Sequence, residues 1–91
     1  MNILIAGCGR VGAGLANALY KEGHDISVVD PSPDSFSALE DQFTGFCVTG
    51  VPIDCAVLRQ AGIEDCHLVA AVTGDDNTNL MVSQIAKEIF H

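Results

Sequence analysis

Three glycines, Gly7, Gly9 and Gly12, stand in the spacing Gly-x-Gly-x-x-Gly directly after the apolar run Asn2–Ala6. Such a loop can bind a phosphate or pyrophosphate. Gly7 permits the tight turn, Gly9 lets the ligand approach the backbone, and Gly12 lets a following helix close on the strand. Free N–H groups and the helix dipole supply the attraction. Arg10, in the first helical turn, is placed for a phosphate contact. Asp30 lies 18 residues beyond Gly12, at the end of a second apolar run. An acid at that distance accepts hydrogen bonds from ribose hydroxyls and favours NAD over NADP by repelling a 2′-phosphate. The plainer reading is that Asp30 starts the turn Asp30-Pro31-Ser32-Pro33. A third polar segment, Thr73-Gly74-Asp75-Asp76-Asn77-Thr78-Asn79, follows a later apolar run. Thr73 and Gly74, directly at the strand end, are ligand candidates, whereas Asp75 or Asp76 caps a helix.

Other chemistries find little support in the sequence. His24, His67 and His91 have no carboxylate partner nearby in sequence and read as structural or solvated. There is no Ser-His-Asp or Cys-His pattern and no acid pair placed for general acid-base work. Cys8, Cys47, Cys55 and Cys66 form no Cys-x-x-Cys pair, which argues against zinc. They read as reduced apolar fillers. Cys8 stands apart because it lies inside the glycine loop, where a redox role is conceivable.

The elements that must position these groups alternate. Strands are expected at Asn2–Ala6, Ile26–Asp30, Phe46–Thr49 and Leu68–Val72. A helix over Arg10–Glu22 places Val11, Leu15, Ala18 and Leu19 on one face, with Gly23 after it. Pro33 can open a second helix whose stripe is Phe36, Leu39 and Phe43. Asp54 can cap a short third helix running to about Ala61. A fourth helix turns Met81, Val82, Ile85 and Ile89 inward. Strict alternation predicts an α/β, Rossmann-like, doubly wound parallel sheet of four strands, order 3-2-1-4, with four helices. The strand ends of the first and fourth units then share one crevice.

Composition narrows the function classes. The 91 residues suit one small domain, residues 1–91. The hydrophobic fraction is 48% and the mean hydropathy is +0.32, as a sheet covered on both faces requires. No apolar run approaches the roughly 18 residues of a membrane helix. Met1-Asn2-Ile3-Leu4-Ile5 has no basic segment before it, so it does not read as a secretory signal. Twelve acids against four bases give a net charge of −8. That surface disfavours nucleic acid and anionic lipid.

Beyond the glycine loop, several segments resemble one family over nearly the whole chain. They are Glu22-Gly23-His24-Asp25, Val28-Val29-Asp30, the run from Val57 to Asp65, and the run from Ala71 to Leu80. The chain resembles the RCK N-terminal family, also called KTN or TrkA-N, the cytosolic nucleotide-sensing domains of potassium channels and transporters. The resemblance implies reversible binding of NAD(H), or of ADP and ATP, and no catalysis. It implies control of a membrane potassium channel or transporter subunit from the cytoplasmic side. It also implies ligand contacts along Gly7, Cys8, Gly9, Arg10 and Val11, and at Asp30, Val51, Pro52, Thr73 and Gly74. The family usually carries Gly-Asp-Ala-Thr-Asp where this chain has Gly50-Val51-Pro52-Ile53-Asp54. The change removes an acid that could meet the adenine edge, and Pro52 removes a backbone donor. Family members usually continue with two more strands and a helix, so 91 residues read as a shortened domain or a fragment. The alternative is the cofactor half of an NAD-dependent dehydrogenase. An uncharged fourth strand at the sheet edge, with the apolar last helix, predicts a homodimer.

Overall fold

The computed structural model describes residues 1–39, 43, 45–74 and 76–87. Four parallel strands, β1 (Asn2–Ala6), β2 (Asp25–Asp30), β3 (Phe46–Thr49) and β4 (Leu68–Ala71), form one sheet in the order β3-β2-β1-β4. The helices are α1 (Arg10–Lys21), α2 (Cys55–Gln60) and α3 (Asp76–Ile85). Two 3-10 segments, Pro33–Ala38 and Ile63–Asp65, complete the connections. The fold class and strand order are those the sequence predicts.

Alternation along β1 divides the core. Ile3 and Ile5 face α1 and pack with Cys8, Ala13, Ala16, Ile26 and Val28. Leu4 and Ala6 face the other way, against Val29, Val48, Leu58, Ile63 and Val82. Both faces of the central strands are therefore buried, and this accounts for their continuous hydrophobicity.

Three local expectations need correction. The buried face of α1 is Gly12, Ala13 and Ala16, flanked by half-buried Leu15 and Leu19. Val11 is 67% exposed, and Ala18 is exposed as well. The helix lies so close to the sheet that only small residues fit beneath it. A search for large apolar side chains is blind to such a face. The second helix is a 3-10 turn ending at Ala38, with Leu39 already extended. Asp and Ser side chains compete with the helical backbone there, and Ser37 Oγ donates to the Asp34 carbonyl at 2.8 Å. Phe36, Leu39 and Phe43 nevertheless pack as expected against the α1 side of the core. In α3, Val82 is buried and Ile85 half-buried, but Met81 is 48% exposed. Asp75 and Ile89 lie outside the described residues.

Candidate functional site

The carboxyl ends of the strands converge on an open cleft of about 480 Å³. Its polar side is formed by Gly7, Gly9, Asp30, Thr73, Gly74 and Thr78. Its apolar side is formed by Pro31, Val51, Pro52 and Ile53. Seven residues singled out from the sequence are thus brought together: Gly7, Gly9, Asp30, Val51, Pro52, Thr73 and Gly74. Four are not among its lining. Cys8 turns its side chain into the core, Gly12 lies on the buried face of α1, and Arg10 and Val11 are exposed on the first turn of α1.

The loop geometry follows from its glycines. Gly7 has φ +111°, and a Cβ there would meet the Thr73 backbone nitrogen at 2.8 Å. A Cβ on Gly12 would fall on the Gly7 carbonyl oxygen. A Cβ on Gly9 would meet nothing within 4 Å, so it would project into open space. Gly9 caps α1 with no side-chain hydrogen bond. The first N–H groups of α1 therefore have no intrahelical acceptor and can meet an anion.

Asp30 does more than start a turn. Its Oδ2 accepts the Cys8 N–H at 2.8 Å, which ties the glycine loop to the end of β2. Its Oδ1 accepts the Ser32 N–H at 2.9 Å. Each oxygen keeps a second lone pair that could receive a ribose hydroxyl. The Cys8 thiol takes no part in the cleft. It donates toward the Ser35 carbonyl at 3.5 Å and is 1% exposed. Burial, then the Asp30 charge, then Cys47 push its pKa up to about 11. The thiol is neutral at physiological pH and poorly suited to redox chemistry. All four cysteines are free.

On the far side of the cleft, Asn79 clamps the end of β4. Its Oδ1 accepts the Thr73 N–H at 2.8 Å and the Thr73 hydroxyl at 2.5 Å, and its Nδ2 donates to the Thr73 carbonyl at 3.1 Å. Asn79, with the cleft residues Pro31, Ile53 and Thr78, was missed as a site element from sequence. In sequence Thr78 and Asn79 read as parts of a capping segment, and nothing local marks the others. His67 proves structural: its Nδ1 accepts the Asn2 N–H at 2.9 Å.

A second open groove, about 470 Å³, lies at the opposite strand ends, around Asn2, Asp25, Phe46, Gly62 and Asp65. Its carboxylates and the carboxyl-terminal ends of α1 and α2 repel anions. The glycine-loop end, by contrast, offers the free N–H groups and the positive end of the α1 dipole. Among the described residues, no group of three His, Cys, Asp or Glu is placed to hold a metal ion. No described helix is long and apolar enough to cross a membrane.

Comparison with known proteins follows the same direction. The model of the TrkA-N domain family matches residues 3–91. The chain is 47% identical over 90 residues to the Trk system potassium uptake protein TrkA of Streptomyces coelicolor, covering 99% of this chain and 40% of that protein. It is 37% identical over 91 residues to the Vibrio alginolyticus protein of the same name, covering all of this chain and 20% of that protein. The chain thus spans well under half the length of these relatives. Among solved structures, a Kef CTD from Shewanella denitrificans in AMP-bound form superposes with a TM-score of 0.85 at 22% identity, covering 99% of this chain and 54% of that one. N5-carboxyaminoimidazole synthetase from Staphylococcus aureus, complexed with ADP, superposes with a TM-score of 0.70 at 22% identity, over 99% of this chain and 22% of that one. These two likenesses concern the fold.

Proposed function

The chain belongs to the TrkA-N domain family, and on that premise we propose that residues 1–91 act as a non-catalytic, nucleotide-sensing unit of a potassium transport system. The observation that carries this reading is the convergence of the glycine loop, Asp30 and the Thr73–Gly74 turn on one cleft. The ligand is an adenosine phosphate, NAD(H) foremost and ADP or ATP as alternatives. Phosphate lies against Gly7, Gly9 and the first N–H groups of α1, with Arg10 and Val11 at its outer edge. Ribose lies on Asp30, and the base against Val51 and Pro52. Thr73 and Gly74 hold the part of the ligand nearest β4. Cys8 contributes its backbone, through the bond to Asp30, and Gly12 allows α1 to approach.

The regulated partner is a membrane potassium channel or transporter subunit, met at the cytoplasmic face. The names of the curated relatives support the potassium link. The AMP and ADP held by the two structurally similar proteins support the ligand class. Self-association is part of the proposal. β4 lies at the edge of the sheet among the described residues, and Leu68, Leu80 and Met81 are about half exposed or more. Light scattering should give twice the 9.5 kDa monomer mass; the monomer mass would exclude a dimer. For the ligand, titration calorimetry with NADH, NAD, NADP, ADP and ATP is the test. NAD should bind at least about tenfold better than NADP, because Asp30 repels the 2′-phosphate. No heat from any nucleotide would defeat the sensing role.

A further inference from the structure

We infer that this cleft accepts purine nucleotides with little regard to the base, adenine or guanine, because among the described residues the wall that would read the base edge has no side chain able to do so. The inference rests on the binding reading above. Sheet order fixes the arrangement: with phosphates at the end of β1 and ribose at Asp30 on β2, the base extends toward the segment after β3. That segment presents Val51, Pro52 and Ile53, faced by Pro31. None carries a side-chain N–H, O–H or carboxylate. Pro52 has no backbone N–H to give, and the Val51 carbonyl spends one of its two lone pairs on the Asp54 N–H at 3.0 Å.

Adenine and guanine differ at the six position, an amino group against a carbonyl, and in the two-amino group of guanine. Discrimination needs a fixed partner for one of these. An aliphatic wall binds the flat face of either ring and leaves both edges to water. Val51 is 53% exposed, so the base would sit at an open rim where its edge stays hydrated without a buried-polar penalty. Apolar surfaces discriminate near-isosteres weakly, whereas a site built to hydrogen-bond one group rejects its absence by about 10⁴-fold.

The test compares matched pairs by calorimetry: ADP with GDP and IDP, and NAD with its guanine and hypoxanthine counterparts. Within each set the dissociation constants should agree to within about fivefold, since the wall meets only the ring faces, which the bases share. ADP binding at least about thirtyfold tighter than GDP would overturn base indifference while leaving the binding role intact. Failure of every nucleotide would overturn both. Val51→Asp supplies the missing reader. Its carboxylate can accept from the adenine amino group, or from the N1–H and two-amino group of guanine. It should move the ADP to GDP affinity ratio by about tenfold in one direction or the other, the size of one such contact. An unchanged ratio in that variant would place the base elsewhere and overturn the inference.

Discussion

Along the β1 side of the cleft the backbone sets the geometry, whereas along the β4 side a single side chain does. Gly7 holds φ +111° against the Thr73 backbone, and Gly12 leaves room for its own helix to rest on the Gly7 carbonyl. No other residue type satisfies both positions without movement. Across the cleft, Thr73 is held by three hydrogen bonds to the Asn79 amide. The first wall is fixed by what glycine lacks and the second by what asparagine carries. Damage to the first should therefore reach the fold, while damage to the second should loosen one turn.

The largest effect follows from Gly12→Ala. Its methyl would occupy the Gly7 carbonyl position, and overpacking of this kind costs about 3 kcal/mol. In a domain of this size that lowers the melting temperature by roughly 12 °C or more. A variant melting within a few degrees of wild type would show that α1 can retreat from the loop. Gly9→Ala makes the opposite test on the same wall. Its methyl points into open space, so stability should stay within about 0.5 kcal/mol. Nucleotide affinity should fall by at least about tenfold, because the methyl takes the place of the phosphate. Unaltered affinity in that variant would remove Gly9 from the site.

On the β4 wall, Asn79→Ala should cost about 1–3 kcal/mol, the range for leaving part-buried polar groups unpaired. Chemical denaturation measures it. A loss below 0.5 kcal/mol would mean that the Thr73 turn is held without the amide. The smallest effect is a pH dependence beneath the β1 wall. The Cys8 thiol keeps its proton to about 11 in the fold, against an ordinary 9.0. Between those values the folded chain binds a proton that the unfolded chain has released, so stability should fall as pH rises from 9 to 11. Burial raises Cys47 and Cys66 in the same direction. Replacing Cys8 with alanine should flatten part of that slope, and an unchanged slope would exonerate the thiol.

The two walls were unequally legible in the sequence. The glycine spacing and Asp30 announce the β1 side because each has a local steric or electrostatic reason that depends on little else. The strand order followed from strict alternation of elements and right-handed crossovers. The small-residue face of α1 was hidden, because Gly12, Ala13 and Ala16 register weakly in a hydrophobic pattern. The short 3-10 segment at Pro33–Ala38 was hidden because its stripe of Phe36, Leu39 and Phe43 packs without a full helix. The Asn79 clamp was invisible for a different reason. Thr73 and Asn79 are six residues apart across a turn, and only its folded path shows which polar side chain reaches back.

The most direct measurement is an amide spectrum of the isotope-labelled chain during titration with ADP or NADH. Perturbations should gather at Gly7 to Gly12, Asp30, Val51, Thr73 and Gly74, at the carboxyl ends of the strands. Perturbations gathered instead around Asn2, Asp25, Phe46 and Gly62, at the opposite ends, or none at saturating nucleotide, would contradict the placement of a nucleotide in this cleft.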